Sequence, residues 1–238
     1  MGHVYFVGAG PGDPDLITVR GMDLLTSADL LVYAGSLVNP ELVARSNASK
    51  KADSWGMALP DIVDLMVSAA TAGKRVVRLH SGDPSLYGAI IEQIAALEAR
   101  GVGVTVVPGV SSMFGAAAAL QTQLTLRGVS DSVIITRPAG NTLEHDQIRE
   151  LSRHGTTMVV FLGTEHIESI LSRIEQPPDT PAAIVYHATW PDQKVIRGTI
   201  ADVAAKARAA GIEKTALIII GGVVDRTASS FTRSDLYG

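Results

Sequence analysis

In residues 4–13, Val4-Tyr5-Phe6-Val7-Gly8-Ala9-Gly10-Pro11-Gly12-Asp13, an apolar run leads directly into a loop rich in glycine. A pattern of apolar residues at helical spacing follows over Leu16–Ser27. A strand, a glycine loop and a helix in this order are typical of an α/β fold with largely parallel sheets. The same order recurs around a second loop, Leu79–Gly88, and we therefore predict that α/β units make up the fold.

Apolar runs rich in β-branched residues predict nine strands along the chain. These are His3–Gly8, Leu30–Tyr33, Arg75–Leu79, Val102–Val107, Ser132–Thr136, Thr157–Phe161, Ala183–His187, Val195–Gly198 and Ala216–Ile220. Further helical patterns cover Pro60–Ala72, Tyr87–Arg100, Asn141–Arg153 and Ile200–Ala210. Only a turn separates the strands Ala183–His187 and Val195–Gly198, which predicts a hairpin and a mixed sheet in the C-terminal half.

Nine strands are many for one sheet in a chain of 238 residues. The stretch Pro108-Gly109-Val110-Ser111-Ser112 follows a strand and carries the proline and glycine that commonly interrupt regular structure. We therefore expect two α/β domains, residues 1–110 and 118–238, joined by a hinge at about residues 108–117.

The composition excludes several classes of protein. Hydrophobic residues make up 46% and charged residues 18%, which excludes a disordered chain. The formal net charge of −4 argues against a general nucleic-acid binder. The absence of cysteine excludes disulfides, thiolate metal sites and thiol catalysis. No apolar run has the length of a membrane span and no secretory signal is recognised, so a cytoplasmic protein is expected.

The first glycine loop disagrees with the dinucleotide fingerprint G-x-G-x-x-G, because Asp13 stands where the third glycine is needed. Pro11 removes one backbone N–H, and Asp13 and Asp15 put negative charge where a pyrophosphate would bind. A nicotinamide-dependent dehydrogenase is therefore disfavoured. The alternatives are a tight turn without a ligand and a loop that approaches an uncharged or cationic ligand.

Asp83 in the second loop has two readings. It could bind a ribose hydroxyl or a cationic ligand, because loops after parallel strands face a common crevice. It could equally cap a helix that starts near Ser85, since aspartate is a favoured N-cap residue. The six histidines show no metal-ligand spacing, and Gly35-Ser36 lacks the pattern of a hydrolase nucleophile, so neither a metal nor a serine hydrolase is expected.

Seven short blocks, in order along nearly the whole chain, resemble the signatures of the tetrapyrrole (corrin/porphyrin) methyltransferase family. They are Val7–Thr18, Ser81-Gly82-Asp83-Pro84, Val107–Ser112, Leu124–Val129, Val159–Gly163, His187–Gln193 and Ala216–Gly221. The resemblance implies two α/β domains with S-adenosylmethionine in a trough between them, and S-adenosylhomocysteine as its product. It also implies a homodimer that methylates ring carbons of a tetrapyrrole.

The resemblance carries the family's cofactor contacts over to ten positions of this chain. These are Pro11, Ser81, Gly82, Asp83, Leu86, Ser111, Ser112, Leu162, Ala188 and Ala216. Leu162 stands where methionine is frequent in the family. A sulfonium loses positive charge as its methyl group departs, so positioning by small, uncharged residues suits the reaction better than a strongly anionic site.

Val32-Tyr33-Ala34-Gly35-Ser36-Leu37-Val38 resembles the branch of the family that methylates C-11 of precorrin-4 in cobalamin biosynthesis, giving precorrin-5. Members that act first on uroporphyrinogen III carry a proposed catalytic aspartate here. Its absence leaves the proton acceptor open. The alternatives within the pathway are cobalt-precorrin-4 as substrate or another ring carbon as the methylated position.

A tetrapyrrole substrate brings several carboxylates, which an acidic protein must meet with local cations. The candidates are Arg20, His80, Arg127, Arg137, His187 and Lys194, each of which could instead be a solvated charge or a structural histidine. His80, Arg127 and His187 are weak catalytic candidates. Two other hypotheses remain: a ribosomal-RNA methyltransferase, disfavoured by the lack of long basic runs, and a non-catalytic tetrapyrrole carrier.

Overall fold

The computed structural model describes residues 2–35, 37–140 and 143–225. Ser36 of the block Val32–Val38 and Asn141, the expected start of a helix, lie outside the described residues. The chain divides into two compact units, Met1–Phe114 and Gly115–Gly238. The division falls within residues 108–117, where the sequence predicts a hinge; whether the chain bends there stays a prediction.

The first unit is built on a five-stranded sheet whose strands are all parallel. In chain order its strands are β1 His3–Gly8, β2 Leu30–Tyr33, β3 Lys50–Asp53, β4 Val76–His80 and β5 Gly103–Val107, and their order in the sheet is β3-β2-β4-β1-β5. Its helices are α1 Val19–Thr26, α2 Pro40–Ala44, α3 Leu59–Thr71 and α4 Ile91–Glu98. Every residue of β4 is buried, as expected for a central strand covered on both faces.

A short helix, α5 Ser112–Leu120, continues the chain into the second unit, which has a mixed sheet. Its strands are β6 Val133–Thr136, β7 Thr157–Val160, β8 Pro181–Tyr186, β9 Lys194–Thr199 and β10 Ala216–Ile220, in the order β6-β7-β10-β8-β9. Its helices are α6 Ile148–Ser152, α7 Ile167–Leu171 and α8 Val203–Ala209. Only β6 and β7 are parallel; the hairpin of β8 and β9 confirms the predicted mixed sheet.

The structure corrects several predicted boundaries. The strand β3, Lys50-Lys51-Ala52-Asp53, was not predicted, because a charged edge strand has no apolar run. The helix α4 begins at Ile91 rather than Tyr87, because Tyr87 and Ala89 have positive φ angles of 55° and 47°, which no helix tolerates. The helix α1 begins only at Val19, where the hydroxyl of Thr18 accepts a hydrogen bond from the Gly21 N–H at 3.1 Å.

A buried carboxylate fastens the loop between β6 and α6. The Asp146 side chain, only 2% exposed, accepts hydrogen bonds from the backbone N–H groups of Ala139 (2.7 Å) and Ile148 (3.1 Å). Its two oxygens also receive Arg173 Nη1 at 2.9 and 3.0 Å. Burial by itself raises the pKa of Asp146, but these hydrogen bonds and the arginine charge outweigh it and hold the pKa below its ordinary value.

Candidate active site

Parallel pairing brings the carboxyl ends of all five strands of the first unit to one edge of its sheet. The glycine loop after β1 and the loop after β4 are joined there by two backbone hydrogen bonds, from Gly10 N to Gly82 O (3.2 Å) and from Gly82 N to Gly10 O (2.8 Å). The Ala9 N–H also donates to the His80 carbonyl at 2.7 Å. The two glycine loops therefore form one joined surface.

Three glycines allow the loops after β1, β4 and β5 to touch. A Cβ added to Gly8 would lie 2.5 Å from the Cα of Gly109 and 2.7 Å from the carbonyl oxygen of Gly82. A Cβ added to Gly109 would overlap the same Gly82 oxygen and lie 2.7 Å from the Cα of Gly8. We call Gly8, Gly82 and Gly109 the glycine cradle. Ser111 and Ser112 lie against Gly82, so the cradle brings together most of the first unit's expected cofactor contacts.

Asp83 joins the second loop to the segment after β5. Its Oδ2 accepts the Gly109 N–H at 2.8 Å, while Oδ1 accepts the N–H of Ser85 at 2.8 Å and the Ser85 hydroxyl. Burial raises the pKa of Asp83, but the hydrogen bonds from Ser85 and Gly109 prevail and lower it. The carboxylate is therefore an ionised clamp on the loops, and it closes a turn at Ser85 rather than capping a helix there, since α4 begins only at Ile91.

The clamp predicts the effect of Asp83→Asn. Whichever way the amide turns, its NH₂ group faces a backbone N–H, either of the half-buried Gly109 or of the exposed Ser85, so one of these donors loses its acceptor. We expect the free energy of unfolding to fall by about 2 kcal/mol and the affinity for S-adenosylhomocysteine to fall about tenfold. Urea unfolding and isothermal titration calorimetry measure the two effects.

Asp23→Asn is the matched control, because the Asp23 carboxylate is exposed on α1 and holds no loop. It should leave the stability within about 0.5 kcal/mol of the parent. Unchanged stability and affinity in Asp83→Asn would show that the clamp is dispensable.

The loop that contains the block Val32–Val38 is held by a residue of the strand that sequence analysis missed. The Asp53 Oδ1 accepts the N–H groups of Gly35 and Trp55, each at 2.9 Å. A Cβ on Gly35 would overlap the Asp53 carboxylate, with its Cγ at 2.8 Å. Gly35 is therefore required here by the close approach of Asp53.

Two buried basic side chains lie on the α3 and α4 face of the first sheet. Arg78 is hydrogen-bonded by Nε to Gln93 Oε1 (3.1 Å) and by Nη1 to Ser54 Oγ (3.0 Å), and burial lowers its pKa to about 10. His80, stacked on Phe6 with 5.6 Å between ring centroids, has its pKa lowered to about 3 by burial and by the Arg78 charge. His80 is thus neutral near pH 7 and offers no positive charge to a carboxylate.

The second unit gathers its expected site residues at one edge of its own sheet. Arg137 follows β6, Leu162 follows β7 and His187 follows β8, while Ala216 and Lys194 begin the antiparallel strands β10 and β9. The register confirms the grouping, because Tyr186 pairs with both Ala216 and Lys194. Antiparallel pairing therefore places strand starts beside strand ends on this edge.

Backbone strain is concentrated at this edge. Leu162, His187, Thr189 and Thr215 have φ angles of 55°, 45°, 72° and 57°, which side-chain-bearing residues rarely adopt. Such conformations cost about 1–3 kcal/mol each and cluster at functional sites. One of the strained residues, Leu162, also has a large apolar side chain that is 61% exposed.

His187 is the most fully oriented titratable group of the edge. Its Nδ1 lies 2.9 Å from Oδ1 and 3.0 Å from Oδ2 of Asp192. Its ring stacks on Tyr186, with centroids 3.8 Å apart, and on Trp190 at 5.1 Å. The hydrogen bond with His187 lowers the pKa of Asp192, while burial and the nearby Asp192 raise the pKa of Tyr186.

Two further side chains, neither singled out from the sequence, support the edge. Thr164 Oγ1 donates to the Ala216 carbonyl at 2.9 Å and receives the Ala216 N–H at 3.1 Å. Gln193 Oε1 accepts the Thr189 N–H at 2.7 Å. Gln193 and Asp192 lie within the block His187–Gln193, so their positions could have been flagged, but their partners could not.

The cationic candidates differ in their exposure and in their partners. Arg20 is exposed on α1, Arg127 is exposed in the turn between Leu126 and Ser130, and Arg137 is half-buried. Lys194 donates from Nζ to the Ala210 carbonyl at 3.0 Å. Among the described residues, no group of three or more histidine and acidic side chains could bind a metal ion. No described helix is both long and apolar enough to cross a membrane.

The chain is similar to known proteins over most of its length. Residues 3–204 match the family model Tetrapyrrole (Corrin/Porphyrin) Methylases. The chain is 48% identical to the cobalt-precorrin-4 C(11)-methyltransferase of Methanocaldococcus jannaschii, over 93% of this chain and 88% of that protein. It is 44% identical to the precorrin-4 C(11)-methyltransferase of Rhodococcus erythropolis, over 98% of this chain and 96% of that protein.

Two solved structures are also similar. The X-ray structure of a cobalt precorrin-4 methyltransferase superposes with a TM-score of 0.90 at 41% identity, covering 94% of this chain and 96% of that one. A uroporphyrin-III C-methyltransferase from Thermus thermophilus, complexed with S-adenosylhomocysteine, gives a TM-score of 0.79 at 30% identity, covering 94% and 93%. These similarities confirm the predicted fold class.

Proposed function

Because this chain belongs to the tetrapyrrole (corrin/porphyrin) methylase family and is a methyltransferase, we propose that it methylates C-11 of precorrin-4 in cobalamin biosynthesis, giving precorrin-5. The observation that carries the proposal is the 44% identity, over 98% of the chain, to a precorrin-4 C(11)-methyltransferase. S-adenosylmethionine is the proposed methyl donor and S-adenosylhomocysteine the product. The proposed cellular location is the cytoplasm. The chain has no cysteine and can form no disulfide, so its folding does not need an oxidising compartment.

The chemistry of the expected donor contacts fits a sulfonium compound. The glycine cradle offers backbone groups and small side chains, and the oxygens of Asp83 are already engaged by Ser85 and Gly109. The site therefore presents little free anionic charge. Free anionic charge would stabilise the sulfonium before the reaction more than in the transition state, where its positive charge is being lost. In the second unit, the expected contacts Leu162, which is exposed, and Ala188, which is buried, are likewise uncharged. The donor, when bound, supplies the methyl group.

The proposed partners of the substrate carboxylates are cations of the second unit's edge, Arg137 and Lys194, together with Arg127. A guanidinium can hold a carboxylate with two parallel hydrogen bonds. His80 is left out of this role, because its pKa of about 3 keeps it neutral. The net charge of −4 agrees with a small-molecule substrate rather than a nucleic acid.

Cobalt-precorrin-4 is the second candidate substrate. The specific observation in its favour is the 48% identity to the Methanocaldococcus jannaschii enzyme named for that substrate. Both macrocycles offer the same ring carbon and the same carboxylates, so the residues described above serve either one.

One experiment separates these functions. Calorimetry with S-adenosylmethionine, S-adenosylhomocysteine and NADH comes first; micromolar binding of the two sulfur compounds alone is expected. Metal-free and cobalt-loaded precorrin-4 are then supplied at equal concentration, and the methylated product is identified by mass. A preference for cobalt-precorrin-4 would favour the second candidate. Macrocycle binding without methyl transfer would favour a carrier, and binding of NADH alone would exclude the proposal.

We also propose that the chain forms a homodimer through an apolar surface of the first unit. Trp55 and Ile91 are each 74% exposed, and Leu59 is 40% exposed. Trp55 follows β3, Leu59 begins α3 and Ile91 begins α4. All three therefore lie at the edge of the sheet where the parallel strands end. Exposed, large apolar side chains at one edge of a sheet are typical of an interface.

The double variant Trp55→Ser with Ile91→Ser is expected to be a monomer. Its mass in solution should be that of one chain, 25.0 kDa, whereas the parent should have twice that mass. Light scattering after size-exclusion chromatography measures it. Ala72→Ser is the control, because Ala72 is exposed at the C-terminal end of α3, on the opposite edge of the sheet, and this variant should remain dimeric. A monomeric parent protein would contradict the proposal.

A further inference from the structure

We propose that His187 is the proton acceptor of the methyl transfer and that Asp192 positions it. The inference rests on the proposed function, since it concerns the same reaction. It assigns a role that the missing aspartate of the Val32–Val38 block leaves open. Three features of the second unit carry it: the His187–Asp192 pair, the fixed orientation of the ring and its place beside the expected cofactor contacts.

The pair with Asp192 sets the tautomer of the imidazole. A carboxylate accepts hydrogen bonds only, so Nδ1, at 2.9 and 3.0 Å from its two oxygens, carries the proton. Nε2 is then the unprotonated nitrogen of the ring. A histidine prepared in this way can accept a proton at Nε2, and the carboxylate stabilises the resulting imidazolium.

The ring is held in one orientation at an energetic cost. His187 adopts a φ of 45°, and the neighbouring Thr189 adopts 72°. The ring lies nearly parallel to that of Tyr186, at an interplanar angle of 15°, and Trp190 stacks on it at 30°. A residue that only filled space at the end of a strand would not need the strained backbone, the two aromatic neighbours and the carboxylate together.

The location agrees with a role in the reaction. His187 directly precedes Ala188, an expected cofactor contact, and β8, which ends just before it, pairs with β10 at Ala216. The side chain is 20% exposed, so it is neither sealed in the core nor fully solvated. Buried His80, with its pKa of about 3, is by comparison a poor acceptor at neutral pH.

The charged and titratable groups around His187 are Asp192, Tyr186 and Lys194. Asp192 lies in the turn after β8, Tyr186 ends β8, and Lys194 pairs with Tyr186 from β9. The Lys194 ammonium is directed to the Ala210 carbonyl, and the Tyr186 hydroxyl interacts with Asp192. The charged group in direct contact with the ring is therefore the Asp192 carboxylate.

The proposed step transfers one methyl group and releases one proton. A C–C bond forms between the donor methyl carbon and C-11, the S–CH₃ bond breaks, and its electron pair stays on sulfur, which becomes neutral. The positive charge passes to the conjugated nitrogen of the macrocycle. The macrocycle then loses one proton to Nε2 of His187, and the imidazolium later releases that proton to water.

The test uses the full chain with precorrin-4 or cobalt-precorrin-4, whichever the parent protein methylates. His187→Asn is the main variant, because asparagine tolerates a positive φ and should preserve the backbone. Asp192→Asn tests positioning. His145→Asn is the matched control, a histidine of the same unit whose side chain is 87% exposed.

We expect His187→Asn to lower kcat about 100-fold or more, with the affinity for S-adenosylhomocysteine within threefold of the parent. Imidazole added to the buffer should restore part of kcat, and the acidic limb of the kcat–pH profile should disappear. Asp192→Asn should lower kcat at least tenfold, and His145→Asn should match the parent.

Three outcomes would overturn the inference. They are an unchanged kcat in His187→Asn, a loss of activity that imidazole does not restore, and a loss explained entirely by weaker S-adenosylhomocysteine binding or by unfolding. A parent protein that binds S-adenosylhomocysteine yet methylates neither macrocycle would overturn the proposed function itself. The two failures are thus distinguished by the parent's own turnover.

Discussion

Gly109→Ala is expected to abolish measurable S-adenosylhomocysteine binding and to lower the free energy of unfolding by about 4 kcal/mol. The added Cβ would overlap the Gly82 carbonyl oxygen and lie 2.7 Å from the Cα of Gly8. Both obstacles are backbone atoms of neighbouring loops, so no side chain can rotate away to relieve the overlap. The loops after β1 and β4 must separate, and the glycine cradle is lost with them.

Urea unfolding and calorimetry at about 15–25 °C would measure the two effects. This range is close to the temperature at which folded proteins are typically most stable, so it limits unfolding of the destabilised variant. Gly140→Ala is the control, because a Cβ there meets no atom of the described residues within 4 Å. It should change stability by less than about 0.5 kcal/mol. Parent-like binding by Gly109→Ala would mean that the cradle does not contact the methyl donor.

Asp146→Ala is expected to lower the free energy of unfolding by about 3 kcal/mol. The substitution leaves the N–H groups of Ala139 and Ile148 without their acceptor and removes the partner of Arg173. Arg173 is 37% exposed and can turn to water, which limits the cost of its lost charge pair. The thermal midpoint and urea unfolding measure the change.

The stabilisation by Asp146 also depends on pH in a defined direction. Its pKa in the folded chain is lower than in the unfolded chain, so the contribution is complete above pH 4 and is lost as the pH falls through the lowered value. The stability difference between the parent and Asp146→Ala should therefore shrink below pH 4. Asp131→Ala, an exposed carboxylate of the same unit, is the control; a difference that stays constant down to pH 2 would contradict this account.

Local sequence patterns predict the parts of the structure that depend on those patterns alone. The strands β1, β2 and β10 were predicted at their observed bounds, and the hairpin of β8 and β9 followed from a turn between two apolar runs. In the central strands, burial on both faces demands apolar side chains, which makes them visible in the sequence. The family blocks likewise lie at the two sheet edges that hold most of the expected site residues.

The rest depends on distances that no local pattern encodes. The charged residues of β3 give it no apolar pattern, so neither this strand nor the contact of its Asp53 with Gly35 can be predicted from the sequence. The positive φ angles of Tyr87 and Leu162 arise from loop closure rather than from their residue types. The neutral state of His80 follows from burial beside Arg78, and the orientation of His187 follows from a side-chain pairing five residues along the chain.

The lysines that hide β3 from sequence analysis also protect the folded chain from aggregation. β3 is the outermost strand on its side of the sheet, so the backbone on its outer side is a template for a strand of another molecule. Lys50 is exposed there, while Lys51 is tethered from Nζ to the Val43 carbonyl at 2.9 Å. A second copy adding to this edge would bring like charges together and would have to strip water from an ammonium group. The residues that make β3 a poor strand in isolation thus help to keep the protein dispersed at high concentration.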